Sequence, residues 1–381
     1  MKNQYVILTG GKNNAGDFLI KYRAKKLFEN IREDRKIIDL NAWEKFDKDQ
    51  LKIVNESKAL ILMGGPSLQK DMYPGIYKLT EKLEDINPPI ISMGIGWKSI
   101  SGTWRDTYEY PFSNNSLKFL DRINNSGYLS SVRDYHSLNS LRFNGFEKFL
   151  MTGCPAYYDF NSLNKDIITP NIRKVSFSLG VSFIESKSME RVMKDNILKC
   201  RDIFQDKDFE VVFHHSLNRD TFLSTHNATS IHVEMHNRFA NWLEEHNIKY
   251  VDISGSAENL MNYYSNVDLH IGYRVHAHIF MNSISKFSIL ISEDGRSKAT
   301  KDVIGGIVLD GYFSFKDTFL SKVISKFCKT FDRFEANEYL SKELRSNLLY
   351  EKNIDYTRIK NSRKMIDNNF EIMKKFLKQL P

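Results

Sequence analysis

Arg274 and His276 stand two residues apart in Gly272-Tyr273-Arg274-Val275-His276, which joins the strand candidate Val267–Ile271 to the helix-compatible run Ala277–Ile284. A guanidinium can hold an anionic oxygen through two parallel hydrogen bonds. An imidazole beside it can pass a proton near neutral pH. In α/β sheets such strand-to-helix turns lie at the carboxyl ends of strands, where binding crevices form. The alternative is an arginine and a histidine that only cap a helix.

A second segment, Gly10-Gly11-Lys12-Asn13-Asn14-Ala15-Gly16-Asp17, follows the apolar run Tyr5–Thr9 and opens a helix through Ala24, Leu27 and Phe28. Glycines permit a tight turn and let backbone N–H groups approach an anion at a helix N-terminus. The segment is neither Gly-x-Gly-x-x-Gly nor a Walker loop. A glycine-rich turn without a ligand is its plain alternative.

Other residues could join either site. His214-His215 closes the run Glu210–His214 and can reach the same crevice as Arg274. Arg133 follows a strand, and an ion pair with Asp134 is its alternative role. Asp17 can accept from a hydroxyl or cap the helix it opens. Lys298, in Glu293-Asp294-Gly295-Arg296-Ser297-Lys298, is a second-half candidate or an exposed turn lysine. Trp97, Trp104, Tyr108 and Tyr110, beside Gly94-Ile95-Gly96, can stack on a sugar ring or pack internally. His232 and His236 share a helix face, but no third ligand is evident, and no metal is expected. His278 would diverge from His276 by about 200° around a helix and is assigned to packing.

The elements that must position these residues alternate between strand and helix, which predicts parallel sheets. Strands are expected at Tyr5–Thr9, Ile37–Leu40, Ala59–Met63, Ile90–Met93 and Leu129–Val132, then at Lys174–Leu179, Glu210–His214, Lys249–Asp252, Val267–Ile271 and Phe287–Ile291. Helices are expected at 17–30, 75–85, 114–124, 134–144, 187–205, 231–246, 256–265 and 275–285, with a linker over 161–174. The pattern predicts an α/β fold of two doubly wound, Rossmann-like domains facing a cleft, which resembles the GT-B arrangement. Residues 1–165 form the first domain, 166–320 the second, and 321–381 add C-terminal helices.

Together, Asn14-x-Gly16-Asp17-x-Leu19-Ile20 and Gly272-x-Arg274-x-His276 resemble the polysaccharide pyruvyl transferase family. Gly64-Gly65-Pro66-Ser67 looks like its second glycine turn. Ser131-Val132-Arg133-Asp134, followed by Ser137, Leu141 and Gly145, looks like its mid-chain Arg-Asp element. The resemblance runs in order over roughly residues 5–300. One departure is Thr152-Gly153-Cys154-Pro155, where an acidic residue is expected in place of Cys154.

The resemblance implies transfer of pyruvate from phosphoenolpyruvate to two hydroxyls of one sugar, forming a cyclic ketal on a cell-surface glycan precursor. His276 is then the general acid/base and, with Arg274, a catalytic candidate, and Arg274, Arg133, His214, His215 and Lys298 are the candidates on the donor side. Asn14, Gly16, Asp17, Gly65 and Trp97 fall on the acceptor side. The acceptor would be a sugar or a lipid-linked oligosaccharide, with no cofactor and no metal beyond the phosphoenolpyruvate substrate. The alternatives are a GT-B glycosyltransferase using a nucleotide sugar and a non-catalytic glycan-binding protein.

Composition is consistent with a soluble enzyme. The chain has 381 residues, 41% hydrophobic and 27% charged, which is ordinary for a globular protein. No apolar run approaches the length of a membrane span, and no signal-peptide pattern precedes the first strand. Cys154, Cys200 and Cys328 are dispersed and odd in number, which predicts reduced thiols and a cytoplasmic location. The net charge of +8 suggests acidic ligands or an anionic membrane face. No nucleic-acid-binding signature accompanies it. The stripe Ile366, Phe370, Met373, Leu377 and Leu380, flanked by Lys364, Lys374, Lys375 and Lys378, can dock on the core or rest on a membrane surface.

Overall fold

The structure, a computed structural model, describes residues 2–10, 14–169, 171–224, 228–316, 321, 324 and 331–381. Strands β1 (Gln4–Thr9) and β3 (Ala59–Met63) are buried at every position. So is β11 (Phe287–Ser292). Continuous burial is the mark of parallel strands covered by helices on both faces. The other strands are β2 (Lys36–Asn41), β4 (Ile90–Met93), β5 (Ser130–Val132), β6 (Phe149–Met151), β7 (Lys174–Ser178), β8 (Asp208–Phe213), β9 (Tyr250–Asp252), β10 (Leu269–Gly272), β12 (Ile307–Asp310), β13 (Tyr312–Phe315) and β14 (Phe334–Ala336).

The chain divides into two units, one of residues 1–11, 17–164 and 365–381, the other of residues 12–16 and 165–364. In the first unit a parallel sheet has the order β2-β1-β3-β4. The parallel pair β5-β6 continues from β4 through a bridge between Ile95 and Val132. Ser92 reinforces it: its amide donates to Ser130 Oγ at 3.0 Å and its hydroxyl to the Ser131 carbonyl at 2.9 Å. Strand order reverses between β1 and β3, so the loops after these two strands flank the crevice of this sheet.

The second unit holds a six-stranded parallel sheet in the order β9-β8-β7-β10-β11-β12. Counted from β7, this is the 3-2-1-4-5-6 order of dinucleotide-binding folds, with its reversal between β7 and β10. Leu269 of β10 lies opposite Val175 of β7 and Phe287 of β11. Phe177, Val211, Ile271 and Ile289 of the strands pack with Met189, Ile197, Phe239 and Leu243 of the covering helices. Both units are Rossmann-like, and the fold is GT-B-like.

Several expectations need correction. The helix expected over 75–85 is absent: Met72–Ile76 is an irregular turn with non-helical Tyr73 and Pro74, and Leu83–Asp85 is a single 3-10 turn. Pro74 supplies no N–H and Gly75 gives little helix propensity. Strands β6, β12, β13 and β14 were not anticipated, being short or only partly apolar. The C-terminal helices are shared between the two units. The helix Leu340–Asn353 belongs to the second unit, and the helix Thr357–Lys378 contributes residues from Met365 onward to the first.

There Ile366, Phe370, Met373, Leu377 and Leu380 are buried. Tyr5 donates to the Pro381 carbonyl at 2.6 Å, and Arg32 Nη1 to the Leu380 carbonyl at 2.8 Å. The stripe is therefore core, and the membrane alternative loses its apolar face. Among the described residues no helix is long and apolar enough to cross a membrane. Cys154 and Cys200 are buried free thiols; Cys328 and Pro170 of the linker lie outside the described residues.

Candidate active site

In the second unit β10 ends on Gly272, whose φ of 142° and tight setting exclude a side chain: a Cβ there would stand 2.4 Å from the Ser178 carbonyl oxygen. This draws the ends of β7 and β10 together at the strand-order reversal. Arg274 follows in the position that precedes the helix Val275–Ser283, yet makes no side-chain cap. It is anchored to the end of β7 instead. Its amide donates to Ser178 Oγ at 3.0 Å and its Nε to the Leu179 carbonyl at 2.7 Å. Its Nη2 donates to His215 Nδ1 at 3.2 Å, while Nη1 has no partner among the described residues.

That last bond fixes a tautomer. A guanidinium only donates, so His215 Nδ1 must accept and its ring proton sits on Nε2. Burial, with Arg274 adding to it, pushes the His215 pKa well below the usual imidazole range. His214 is held neutral the same way, by burial first and Arg274 second, and its Nε2 bonds Tyr264 Oη at 2.7 Å.

Beneath the turn a buried chain of hydroxyls and imidazoles supports Ser178. His270 Nε2 bonds Ser178 Oγ at 2.8 Å and its Nδ1 bonds Ser288 Oγ at 2.8 Å. His278 Nδ1 bonds the same Ser288 hydroxyl at 2.7 Å, which accords with its assignment to packing.

His276 lies in the first turn of the helix, with its ring against Gly16: a Cβ on Gly16 would stand 2.0 Å from Nδ1. Asn14 caps the helix Ala15–Ile31 by accepting from the Gly16 amide at 3.0 Å. Asn14, His214, His215, Arg274 and His276 line one cavity of about 40 Å³. Asn14 and Gly16, far from Arg274 and His276 in sequence, thus meet them within one unit. Gly11, Lys12 and Asn13 lie outside the described residues.

The cavity also holds groups not anticipated: Glu293, Asp294 and Arg296. Asp294 caps the helix Gly295–Ile304 and pairs with Arg296. Burial raises its pKa, but Arg296 and the amide bonds outweigh this and leave it lowered. The available signal was a third strand, β11, ending in charged residues at the same sheet edge. Lys298 was the residue singled out there, and it does not line the cavity. Its Nζ lies 4.1 Å over the Tyr312 ring and 3.9 Å from Asp310.

In the first unit, Gly64 and Gly65 turn with φ of 39° and 71°, and Gly65 faces Asp17, whose Oδ1 would be 3.8 Å from a Cβ there. Since Asn14 supplies the cap, the Asp17 carboxylate sits in the first helical turn, where the helix dipole favours it. Arg133 is 7% exposed, so the surface ion pair considered for it is in fact buried; Asp134 lies 3.5 Å from its Nε. Its Nη2 is buried with no partner among the described residues. Gly96 makes room for it, because a Cβ there would stand 1.9 Å from Nε. Cys154 is near enough for Arg133 to act on its pKa, but burial prevails and raises the thiol to about 11.

Trp97 is fully buried and stacked on His136 at 5.0 Å, so it cannot receive a sugar. Tyr110 is also buried, bonded to the carbonyls of Leu68 and Lys98. Trp104, 43% exposed, also stacks on that histidine at 4.0 Å, and Tyr108 is 48% exposed. Among the described residues no group of three or more His, Cys, Asp or Glu is placed to hold a metal ion.

The fold is similar to that of the UDP-GlcNAc 2-epimerase from Neisseria meningitidis, with a TM-score of 0.53 at 10% identity, covering 98% of this chain and 99% of that one. The UDP-GlcNAc 2-epimerase of Methanocaldococcus jannaschii gives a TM-score of 0.46 at 12% identity, covering 91% and 99%. No curated protein matches the chain by sequence. The model of one family, polysaccharide pyruvyl transferase, matches residues 14–280, which include the Asn14-x-Gly16 turn, Arg133 and the Arg274-x-His276 turn. The chain belongs to the polysaccharide pyruvyl transferase family.

Proposed function

We propose that the protein transfers pyruvate from phosphoenolpyruvate to two hydroxyls of one sugar in a cell-surface polysaccharide precursor, forming a cyclic ketal and releasing phosphate. The observation that carries this is the convergence of Asn14, His215, Arg274 and His276 on one polar cavity of about 40 Å³. One water needs about 10–15 Å³ on this measure, so the cavity suits a carboxylate or part of a phosphate better than a nucleotide base. Arg274 offers Nη1 to such an anion, while His215 and the Leu179 carbonyl hold its other nitrogens in place. A rigid fork of this kind recognises planar and tetrahedral oxyanions.

The reaction needs one proton on the terminal methylene of the enol and the removal of protons from both attacking hydroxyls. His276 is the proposed carrier, since an imidazole passes protons in either direction near neutral pH. In the first unit, Arg133 is a proposed anion contact, supported by its buried Nη2, which has no partner among the described residues. Neither step requires a metal or redox cofactor. A cytoplasmic location is proposed with the reaction, because phosphoenolpyruvate is an intracellular metabolite.

The test is ligand-dependent melting with phosphoenolpyruvate and with a panel of nucleotide sugars, followed by phosphate release with sugar acceptors. Stabilisation by phosphoenolpyruvate and acceptor-dependent phosphate release are expected. Stabilisation by a nucleotide sugar alone would overturn the assignment.

A further inference from the structure

The cavity contains an acid for which the proposed reaction has so far no use. Glu293 follows β11, is 6% exposed, and lines the cavity. Its Oε2 accepts from the amides of Val181 at 2.7 Å and Ser182 at 3.0 Å. Gly180 permits the approach, because a Cβ there would stand 2.3 Å from Oε2. Both of these hydrogen bonds go to Oε2 and neither to Oε1. With Oε2 occupied as a double acceptor, a proton on this carboxyl would sit on Oε1. Burial, with Asp294 adding to it, raises the pKa of this carboxyl, while Arg274 and the Ser182 and Val181 amide bonds oppose the rise. The ionisable groups around it are Arg274, Asp294 and Tyr273, with His214, His215, His276 and Arg296 lining the same cavity.

We propose that Glu293 is a second catalytic residue, giving the proton from Oε1 to the methylene carbon of the enol donor while His276 serves the hydroxyls. This rests on the pyruvyl-transfer function proposed above. A proton enters the methylene at the stage when another leaves the first hydroxyl, and one imidazole carries only one transferable proton at a time. Two groups of opposite initial protonation resolve this. The carbon–carbon π pair takes the Glu293 proton and becomes the new C–H bond of a methyl group. The first hydroxyl oxygen bonds to the central carbon and yields its proton to His276. The C–O bond to phosphate then breaks, the phosphate leaving with the bonding pair and taking the proton from His276. The second hydroxyl closes the ketal and returns its proton to Glu293. Both side chains end as they began, and the products are the ketal and hydrogen phosphate.

Glu293→Gln keeps the side-chain length and an oxygen for the Val181 and Ser182 amides while removing the acid. The parent and this variant are given phosphoenolpyruvate with methyl galactoside, glucoside and mannoside. Phosphate release is followed from pH 5 to 9, with calorimetric phosphoenolpyruvate binding and melting temperature measured on the same samples. Turnover is expected to fall by about 10²–10⁴-fold, the usual contribution of a proton donor. Donor affinity should stay within about threefold, and the alkaline limb of the pH profile should vanish. Parent-like turnover with the limb intact overturns the role. So does a parallel loss of rate, donor affinity and melting temperature, which would mark Glu293 as a tether for the turn. A parent that neither binds phosphoenolpyruvate nor releases phosphate overturns the pyruvyl-transfer function itself and this role with it, and is recognised before any variant is compared.

Discussion

Gly16 lies under the His276 imidazole so closely that a methyl group on its Cα would stand 2.0 Å from Nδ1 and 2.4 Å from Cγ. Only hydrogen fits there. The residue at position 16 therefore sets where the proposed proton carrier can sit, although it brings no functional group of its own. Gly16→Ala is expected to displace the ring, because the obstructed atoms belong to a side chain that can rotate away. Misplacement of a reacting group by about 1 Å can cost about 100-fold in rate. Turnover should fall by at least tenfold, with the melting temperature nearly unchanged. Full activity in this variant would show that the ring position is immaterial.

Arg274→Lys keeps the charge but cannot reproduce the fork that reaches Leu179 and His215 while leaving Nη1 available. Phosphoenolpyruvate affinity, measured by calorimetry, should drop by roughly tenfold or more, equivalent to about 1.4 kcal/mol. Unchanged affinity would remove Arg274 from the donor contacts.

His276→Asn tests the proton carrier directly. Turnover should fall by about 10²–10⁴-fold, while donor affinity changes much less, because the proposed donor contact is the Arg274 guanidinium and not the imidazole. Loss of rate, affinity and melting temperature together would mean that His276 only supports the turn. Near-normal turnover would eliminate it as the carrier.

Acid should weaken the second unit through its buried histidines. Burial lowers His236 to about 4 and His278 to about 3, and lowers His214, His215 and His270 well below the usual value. In the unfolded chain each titrates near 6.5. As pH falls below that value the unfolded state takes up protons that the folded state refuses, so stability is intact above about 6.5 and lost on the way down. For His236 the loss continues to about 4 and for His278 to about 3. At pH 5 each of these two contributes a loss of about 2 kcal/mol. Urea unfolding at pH 7, 6 and 5 should show the decline; a flat profile would contradict the buried, neutral state of these rings.

Periodicity made the central strands legible, because β1 and β3 hold unbroken apolar runs and β10 and β11 are each interrupted by one polar residue, His270 and Ser288. It failed around Pro74, where apolar residues continue but the backbone cannot. The pair Arg274 and His276 was readable from residue type and spacing, and so was the Gly16 turn. That Gly16 serves His276, and not a ligand alone, depended on three-dimensional contact. Trp97 was misplaced because an aromatic beside glycines looks the same whether it faces a ligand or a core. Glu293 was passed over because nothing local distinguishes a carboxylate that reaches the Val181 and Ser182 amides from one that meets water.

The first unit draws its last core residues from 365–381, after the whole of 165–364 has gone to the second. On the ribosome this reverses the usual schedule. At about 5–20 residues per second, some 10–40 seconds pass between the emergence of Asn164 and that of Met365. Through that interval Tyr158 awaits the Phe370 ring and Tyr5 the Pro381 carbonyl. The second unit can close its sheet first, and the N-terminal half of the chain is the one exposed to holding chaperones during synthesis.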